Sequence, residues 1–299
     1  MNLPIPIEGP YTEIAYEYDG TLEGLLTAIF KAYQYREHPT DVVASANLQP
    51  RLGQSVRSIE TDFHLAERVA RGICTTCGAK TFAFVRNAAL VDSPEAGTNV
   101  YRFVRFAMKT GPVAMHNIAN PLVQPLERAN TFVRNESERV RQFVRFHELE
   151  GGIYFGTISP KANVVPLVMA WFAARFNTQP FIIYDEAHGL AGVYEGPAAQ
   201  TGTTNVWGNK SWYLVPVDAR SDLNIPPEVP REQAMQQAWK AFYQATTISV
   251  RYHPELRQHF MPQRFWKDLV ELHPSLPTSA HSGITPVRSN AGMKLSSSA

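Results

Sequence analysis

The sequence predicts an α+β chain, a small antiparallel sheet of hairpins packed with several helices, with helical N- and C-terminal parts. Three observations carry this. Between Thr21 and Gln142 apolar residues recur mainly at helical spacing. From Phe143 to Tyr194 short apolar runs flank Glu150-Gly151-Gly152 and His188-Gly189, a hairpin signature. From Arg231 onward the helical period returns. The chain contains no internal repeat.

In chain order, Glu13–Tyr18 reads as a short strand closed by the Asp19-Gly20 turn. Thr21–Arg36 reads as a helix with Leu22, Leu25, Leu26, Ile29, Phe30 and Tyr33 on one face, ended by His38-Pro39. Arg57–Gly72, Tyr101–Lys109 and Asn130–Gln142 read as further helices. Phe143–Leu149 pairs with Ile153–Ser159 in a first hairpin, and Phe181–Asp185 with Leu190–Tyr194 in a second. Between them, Val165–Phe176 is an apolar helix that opens with Pro166, where proline is tolerated. Residues 196–232 read as a long loop around a strand, Trp212–Val217. Arg231–Thr247 and Pro262–Leu272 read as the closing helices. The expected organisation is one α+β domain over residues 1–272, helical over about 19–142 and sheet-containing over about 143–272. Residues 273–299, rich in Ser and Pro, read as a disordered tail.

Composition bounds the function. The 299 residues are 44% hydrophobic and 18% charged, values of a soluble globular protein rather than a disordered, collagenous or coiled-coil chain. Lys+Arg is 28 against Asp+Glu 27, so net charge advertises no polyanionic partner, although a local patch suffices for one. The longest apolar stretch, Val164–Phe176, is broken by Pro166 and Arg175 and is too short to span a membrane. The opening MNLPIPIEGPYTE has neither a basic nor an apolar leader segment, so a cytoplasmic location is expected.

Several motifs invite chemistry and fail on inspection. Ile182–His188 looks like a strand-borne DEAH box, and Thr76–Thr81 like a damaged phosphate loop. The latter has Ala79 where glycine must precede the lysine, so consecutive N–H groups cannot wrap a phosphate. Asp185–His188 reads better as a hairpin turn. Cys74-Thr75-Thr76-Cys77 is a lone CxxC; a zinc site needs four ligands and a radical SAM cluster three cysteines. The histidines form no metal spacing, so no metal or cofactor is expected.

Basic residues concentrate in 101–145, where Arg102, Arg105, Lys109, Arg128, Arg134, Arg139, Arg141 and Arg145 face only Glu127, Glu136 and Glu138. Arg134, Arg141 and Arg145 share one helix face if the helix runs that far, with Glu138 among them to neutralise them. The C-terminal segment mixes aromatics with charge, as in Trp239-Lys240-Ala241-Phe242-Tyr243 and Phe260-Met261-Pro262-Gln263-Arg264-Phe265-Trp266-Lys267. Such mixtures stack bases and hold phosphates.

At these residues the chain resembles the bacterial family known as "probable DNA metabolism protein", a domain of unknown function. Tyr18-Asp19-Gly20-Thr21-Leu22 resembles its opening and Thr61-Asp62 with Ala66, Arg68 and Val69 its next helix. Phe143-Val144-Arg145-Phe146 with Glu148 resembles its FVRF strand, and Tyr154 to Pro160 that strand's partner. Phe172, Arg175-Phe176 and Ile183-Tyr184-Asp185 resemble the helix-to-strand unit that follows, and Met261–Lys267 its ending. The likeness runs in order over about 11–272. The chain departs from it at Glu138 and Trp171, where members often carry histidine, and at His253, where asparagine is usual.

The resemblance implies a DNA repair or modification accessory protein. Members are typically encoded beside a putative radical SAM protein or fused to a uracil-DNA-glycosylase-type domain, so such proteins are the implied partners, together with single-stranded or damaged DNA. On this reading Arg145, Arg175, Arg264 and Lys267 contact phosphate and Trp266 stacks a base. Arg145, Arg175 and Asp185 fit equally well as a structural Arg–carboxylate network fixing helix against sheet. Two alternatives remain open: a DNA-acting hydrolase using Glu148 or Asp185 as general base, and a protein–protein adaptor without DNA affinity.

Overall fold

The computed structural model describes residues 12–197, 207, 211–218, 220, 223–248 and 253–272. The segment 273–299, expected to be a disordered tail, lies outside the described residues, as do parts of the 196–232 loop.

Strand β1 (Thr12–Tyr18) runs into helix α1 (Leu22–Tyr35) through the Asp19-Gly20 turn. The Thr21 hydroxyl accepts from the Gly24 N–H, a side-chain N-cap, and itself donates to Asp19 Oδ1 at 2.7 Å. Leu22, Leu25, Leu26 and Ile29 are buried as the helical period requires; Tyr33 at the end of that stripe is exposed. β1 is the middle of a three-stranded parallel sheet, flanked by β2 (Pro39–Ala44) and β3 (Ser55–Ser58). Neither flanking strand is foreseen from sequence, because both are short and β3 is largely solvent-exposed.

Helix α2 (Phe63–Cys77) is capped by Asp62, which accepts from the His64 and Leu65 N–H groups. Gly78, at φ 91°, turns the chain directly into α3 (Ala79–Ala88). The residues that mimic a phosphate loop are thus a corner between two helices, and Cys77 is buried against Met108. Helix α4 (Ala96–Thr110) docks on β2. Thr98 Oγ1 accepts from the Val42 N–H at 2.9 Å, and Gly97 lies so close that a Cβ there would meet the Val42 carbonyl at 2.4 Å. Helix α5 (Gln124–Phe143) starts earlier than the periodicity suggests, with Pro125 in its first turn.

The second sheet has the order β4-β5-β6-β7-β8, from Phe146–Leu149, Ile153–Ile158, Phe181–Asp185, Leu190–Tyr194 and Trp212–Pro216. Both expected hairpins are present as antiparallel pairs, and β7 with β8 makes a third antiparallel pair. The pair joining the hairpins, β5 with β6, is parallel, because the crossover between them is helix α6 (Val165–Arg175). α6 lays Val165, Val168, Met169 and Phe172 against Phe181, Ile183, Tyr194 and Trp212. Gly192 makes this possible, since a Cβ there would stand 2.6 Å from Met169.

α5 links the two cores. Leu126 is buried with α1–α4, whereas Val133 and Val140 are buried with α6 and the second sheet. Helix α7 (Pro230–Thr246) follows β8, and α8 (Pro254–Phe260) leads into 3₁₀ turns over Gln263–Asp268 and Val270–Leu272. The architecture is α+β, with helices and two sheets.

Candidate anion-binding site

Alternate faces of α5 meet different surroundings. On one side Glu136, fully buried, is held by the Arg264 guanidinium through both oxygens at 2.7 Å, by Arg139 at 2.6 Å and by the Lys161 N–H at 2.9 Å. Burial alone would raise its pKa, but these donors outweigh it and hold the carboxyl below its ordinary value. The Glu136 carboxylate is saturated, although Arg264 Nε has no partner among the described residues.

On the other side α3, α5 and the first turn of α6 line a half-open cavity of about 340 Å³. Its lining includes Arg86 and Asn87 from α3, Arg134, Ser137 and Arg141 from α5, and Pro166 from α6. Four buried polar atoms of these residues have no hydrogen-bond partner among the described residues: Arg86 Nε, Asn87 Oδ1, Ser137 Oγ and Arg141 Nε. Ser137 is only 3% exposed. Buried polar groups are ordinarily satisfied, so these four stand out on the residues that line the pocket, as Arg145 Nε and Arg264 Nε do elsewhere. The charge of an occupant follows from the lining. Three guanidiniums face one carboxylate, Glu138, which pairs with Arg141 at 2.8 Å. Burial pulls the Arg86 pKa below its ordinary value, though the group stays charged at neutral pH. Two rings brace the cations: Arg86 lies over Trp207 at 5.1 Å and Arg141 over Trp171 at 5.6 Å. The N-terminus of α6 adds the positive end of a helix dipole.

The residues singled out from sequence fall elsewhere, with partial exceptions. Arg134 and Arg141 do share the cavity, but α5 ends at Phe143 and Arg145 leaves their face. Arg145 donates to the Gln142, Phe143 and Val144 carbonyls and pairs with Glu271 at 2.7 Å, closing the helix C-terminus. Arg264 belongs to Glu136, and Lys267 pairs with Glu186. Trp266 donates its indole N–H to the Met261 carbonyl, and Arg257 covers its ring at 4.8 Å. Arg175 is exposed in the last turn of α6, one turn beyond Trp171. Glu148 is held by Arg231, its Oε2 at 2.9 Å from Nε.

Asp185 is fully buried. Its Oδ1 accepts from the Ala187 and His188 N–H groups, and its Oδ2 meets His188 Nδ1 at 2.6 Å. His188 Nε2 meets Asp92 at 2.7 Å. Burial would lower the imidazole pKa, but the two carboxylates outweigh it and raise it to about 9. Both ring nitrogens are engaged, so this Asp–His–Asp chain fastens the β6–β7 turn to the loop after α3.

Arg86, Asn87 and Ser137 escape sequence reasoning. The first two sit on α3, whose residues carry the false phosphate-loop signal, and nothing local distinguishes Ser137 from a solvated helix serine. Glu138 and Trp171 both meet Arg141, one by an ion pair and the other by its ring.

A family model described as a domain of unknown function, DUF4130, matches residues 94–271. The match takes in α4 to the 3₁₀ turns, and every cavity-lining residue except Arg86 and Asn87. Among solved structures, the pGpG-specific phosphodiesterase PggH from Vibrio cholerae aligns over 80% of this chain and 100% of its own, at 7% identity and a TM-score of 0.34. RecJ from Thermus thermophilus aligns over 87% of this chain and 55% of its own, at 12% identity and a TM-score of 0.35. Likenesses this distant carry no argument. No curated protein matches the chain.

Proposed function

The chain belongs to the DUF4130 family, and from that premise we propose that it binds nucleic acid or a damaged nucleotide as an accessory in DNA repair or modification. The observation that carries the reading is the α3–α5–α6 cavity, with Arg86, Arg134 and Arg141 around unpartnered buried polar atoms. Arginine forks suit phosphate oxygens, and unpartnered polar atoms suit phosphate or a base edge. Arg175, in the last turn of α6, lies off the face that lines the cavity. Arg145, Arg264 and Lys267 would first have to leave Glu271, Glu136 and Glu186, so they serve the architecture in this proposal. The resemblance to the DNA metabolism family supports a radical SAM or uracil-DNA-glycosylase-type partner.

The test is fluorescence anisotropy with labelled single-stranded and duplex DNA across a salt series. Binding should weaken steeply with salt, and each phosphate-contacting arginine removed should lower the slope by about 1. Affinity unchanged in an Arg134→Gln/Arg141→Gln variant would refute the assignment.

The adaptor reading is favoured by a different feature. α7 leaves Met235, Trp239 and Phe242 exposed, with the two rings stacked at 5.7 Å. Co-purification of the partner enzyme that Trp239→Ser/Phe242→Ser abolishes, with DNA affinity absent, would favour it. The hydrolase reading finds less support, since Asp185 is enclosed and Glu148 is held by Arg231.

A further inference from the structure

We propose that the α3–α5–α6 cavity takes a terminal phosphate monoester rather than an internal phosphodiester. The inference rests on the nucleic-acid reading above and names the group recognised.

The charge argument comes first. Arg86, Arg134 and Arg141 carry three positive charges and Glu138 one negative, which leaves two. A phosphodiester brings one negative charge, whereas a phosphate monoester near pH 7 brings close to two, its second pKa being about 6. Only the monoester neutralises the site.

The donor geometry agrees. The guanidinium forks of Arg86, Arg134 and Arg141 line the pocket and offer N–H donors of fixed geometry. A monoester presents three terminal oxygens to such donors, a diester two. The first turn of α6, at Pro166 and Leu167, adds only the field of its dipole, since Pro166 has no N–H and that of Leu167 is bonded to the Val164 carbonyl.

The size agrees as well. About 340 Å³ falls at the small end of ligand pockets, enough for one nucleotide unit and not for a length of duplex. Trp171 and Trp207 lie against Arg141 and Arg86, so these guanidiniums need less ordering when the anion arrives. The same chemistry is offered by a phosphorylated strand end and by a free nucleoside monophosphate.

The experiment uses the full chain and anisotropy with short single-stranded oligonucleotides. The probes carry a 5′-phosphate, a 3′-phosphate or hydroxyls at both ends, and a circularised, internally labelled oligonucleotide completes the set. At least one phosphorylated end should bind about tenfold more tightly than the hydroxyl and circular probes, the worth of one charged hydrogen bond. Arg134→Gln, a change at an exposed side chain, should reduce that preference, as should Arg141→Gln. Competition by deoxycytidine monophosphate at equal strength would keep the monoester assignment and identify the free nucleotide as its source. Equal binding of all four probes would overturn the monoester inference and leave nucleic-acid binding standing. Absence of binding by every probe at low salt would overturn both.

Discussion

Glu136 and Ser137 are neighbours on α5, about 100° apart around the helix, and their surroundings are opposite. Glu136 is surrounded by donors from three directions: Arg139 on its own helix, Arg264 from the C-terminal 3₁₀ turn and the Lys161 N–H. Ser137 is equally buried, and its hydroxyl meets no partner among the described residues. Both regions are rich in arginine. On the first side Arg139 and Arg264 both pair with a carboxylate the fold has buried for them, and only Arg264 Nε is left over among the described residues. On the second, three guanidiniums share Glu138. Arginine density therefore says little about function; what decides is whether the fold has already supplied the anion.

The largest expected effect lies on the closed side. Glu136→Ala would leave Arg264 half-buried without its carboxylate and the Lys161 N–H without an acceptor. The expected loss is about 3 kcal/mol of stability, read from the urea midpoint at unchanged m-value. A loss below about 1 kcal/mol would mean that this side is not closed.

The open side should respond in reverse. Arg141→Gln should cost under about 1 kcal/mol of stability, since its pair with the exposed Glu138 is a surface one. Its effect should appear in DNA affinity instead. Parallel denaturation and anisotropy on this variant and on Glu136→Ala separate the two regions; a large stability loss in both would erase the contrast.

A smaller effect concerns the Asp185–His188–Asp92 chain. His188 titrates at about 9 in the fold against 6.5 when unfolded, so the folded state holds the extra proton. Its contribution to stability is complete below pH 6.5 and is lost as pH rises toward 9. Thermal midpoints at either end of that window should differ more in the parent than in His188→Gln; equal differences would remove His188 from the clamp. The smallest effect is a gain. Glu138→Gln removes the one negative charge of the cavity and should tighten anion binding a few-fold, about 1 kcal/mol or less, and more for the dianionic monoester than for the diester. Weaker binding would assign Glu138 to holding Arg141 in place.

Much of the fold was legible. The apolar stripe of α1, the hairpins around Gly151-Gly152 and Gly189, and the Pro166 start of α6 all follow from spacing and turn chemistry. β2, β3 and α3 were not. β2 and β3 are short strands held by pairing with β1, and α3 carries few local signals beyond a misleading Gly-Ala-Lys-Thr. The sheet expected to be antiparallel is mixed, since a crossover as long as α6 joins β5 and β6 in parallel.

The sequence by itself determined which segments are helix and strand wherever period and caps agree, because those rules act over a few residues. It also placed Arg134 and Arg141 on one face, since that follows from helical geometry alone. Tertiary structure decided which arginines meet carboxylates. Arg264 reaches Glu136 and Arg145 reaches Glu271 across more than a hundred residues of chain. It alone brought Arg86 and Asn87 to Ser137, because burial of a polar atom without a partner is a property of packed surfaces and leaves no local pattern in the sequence.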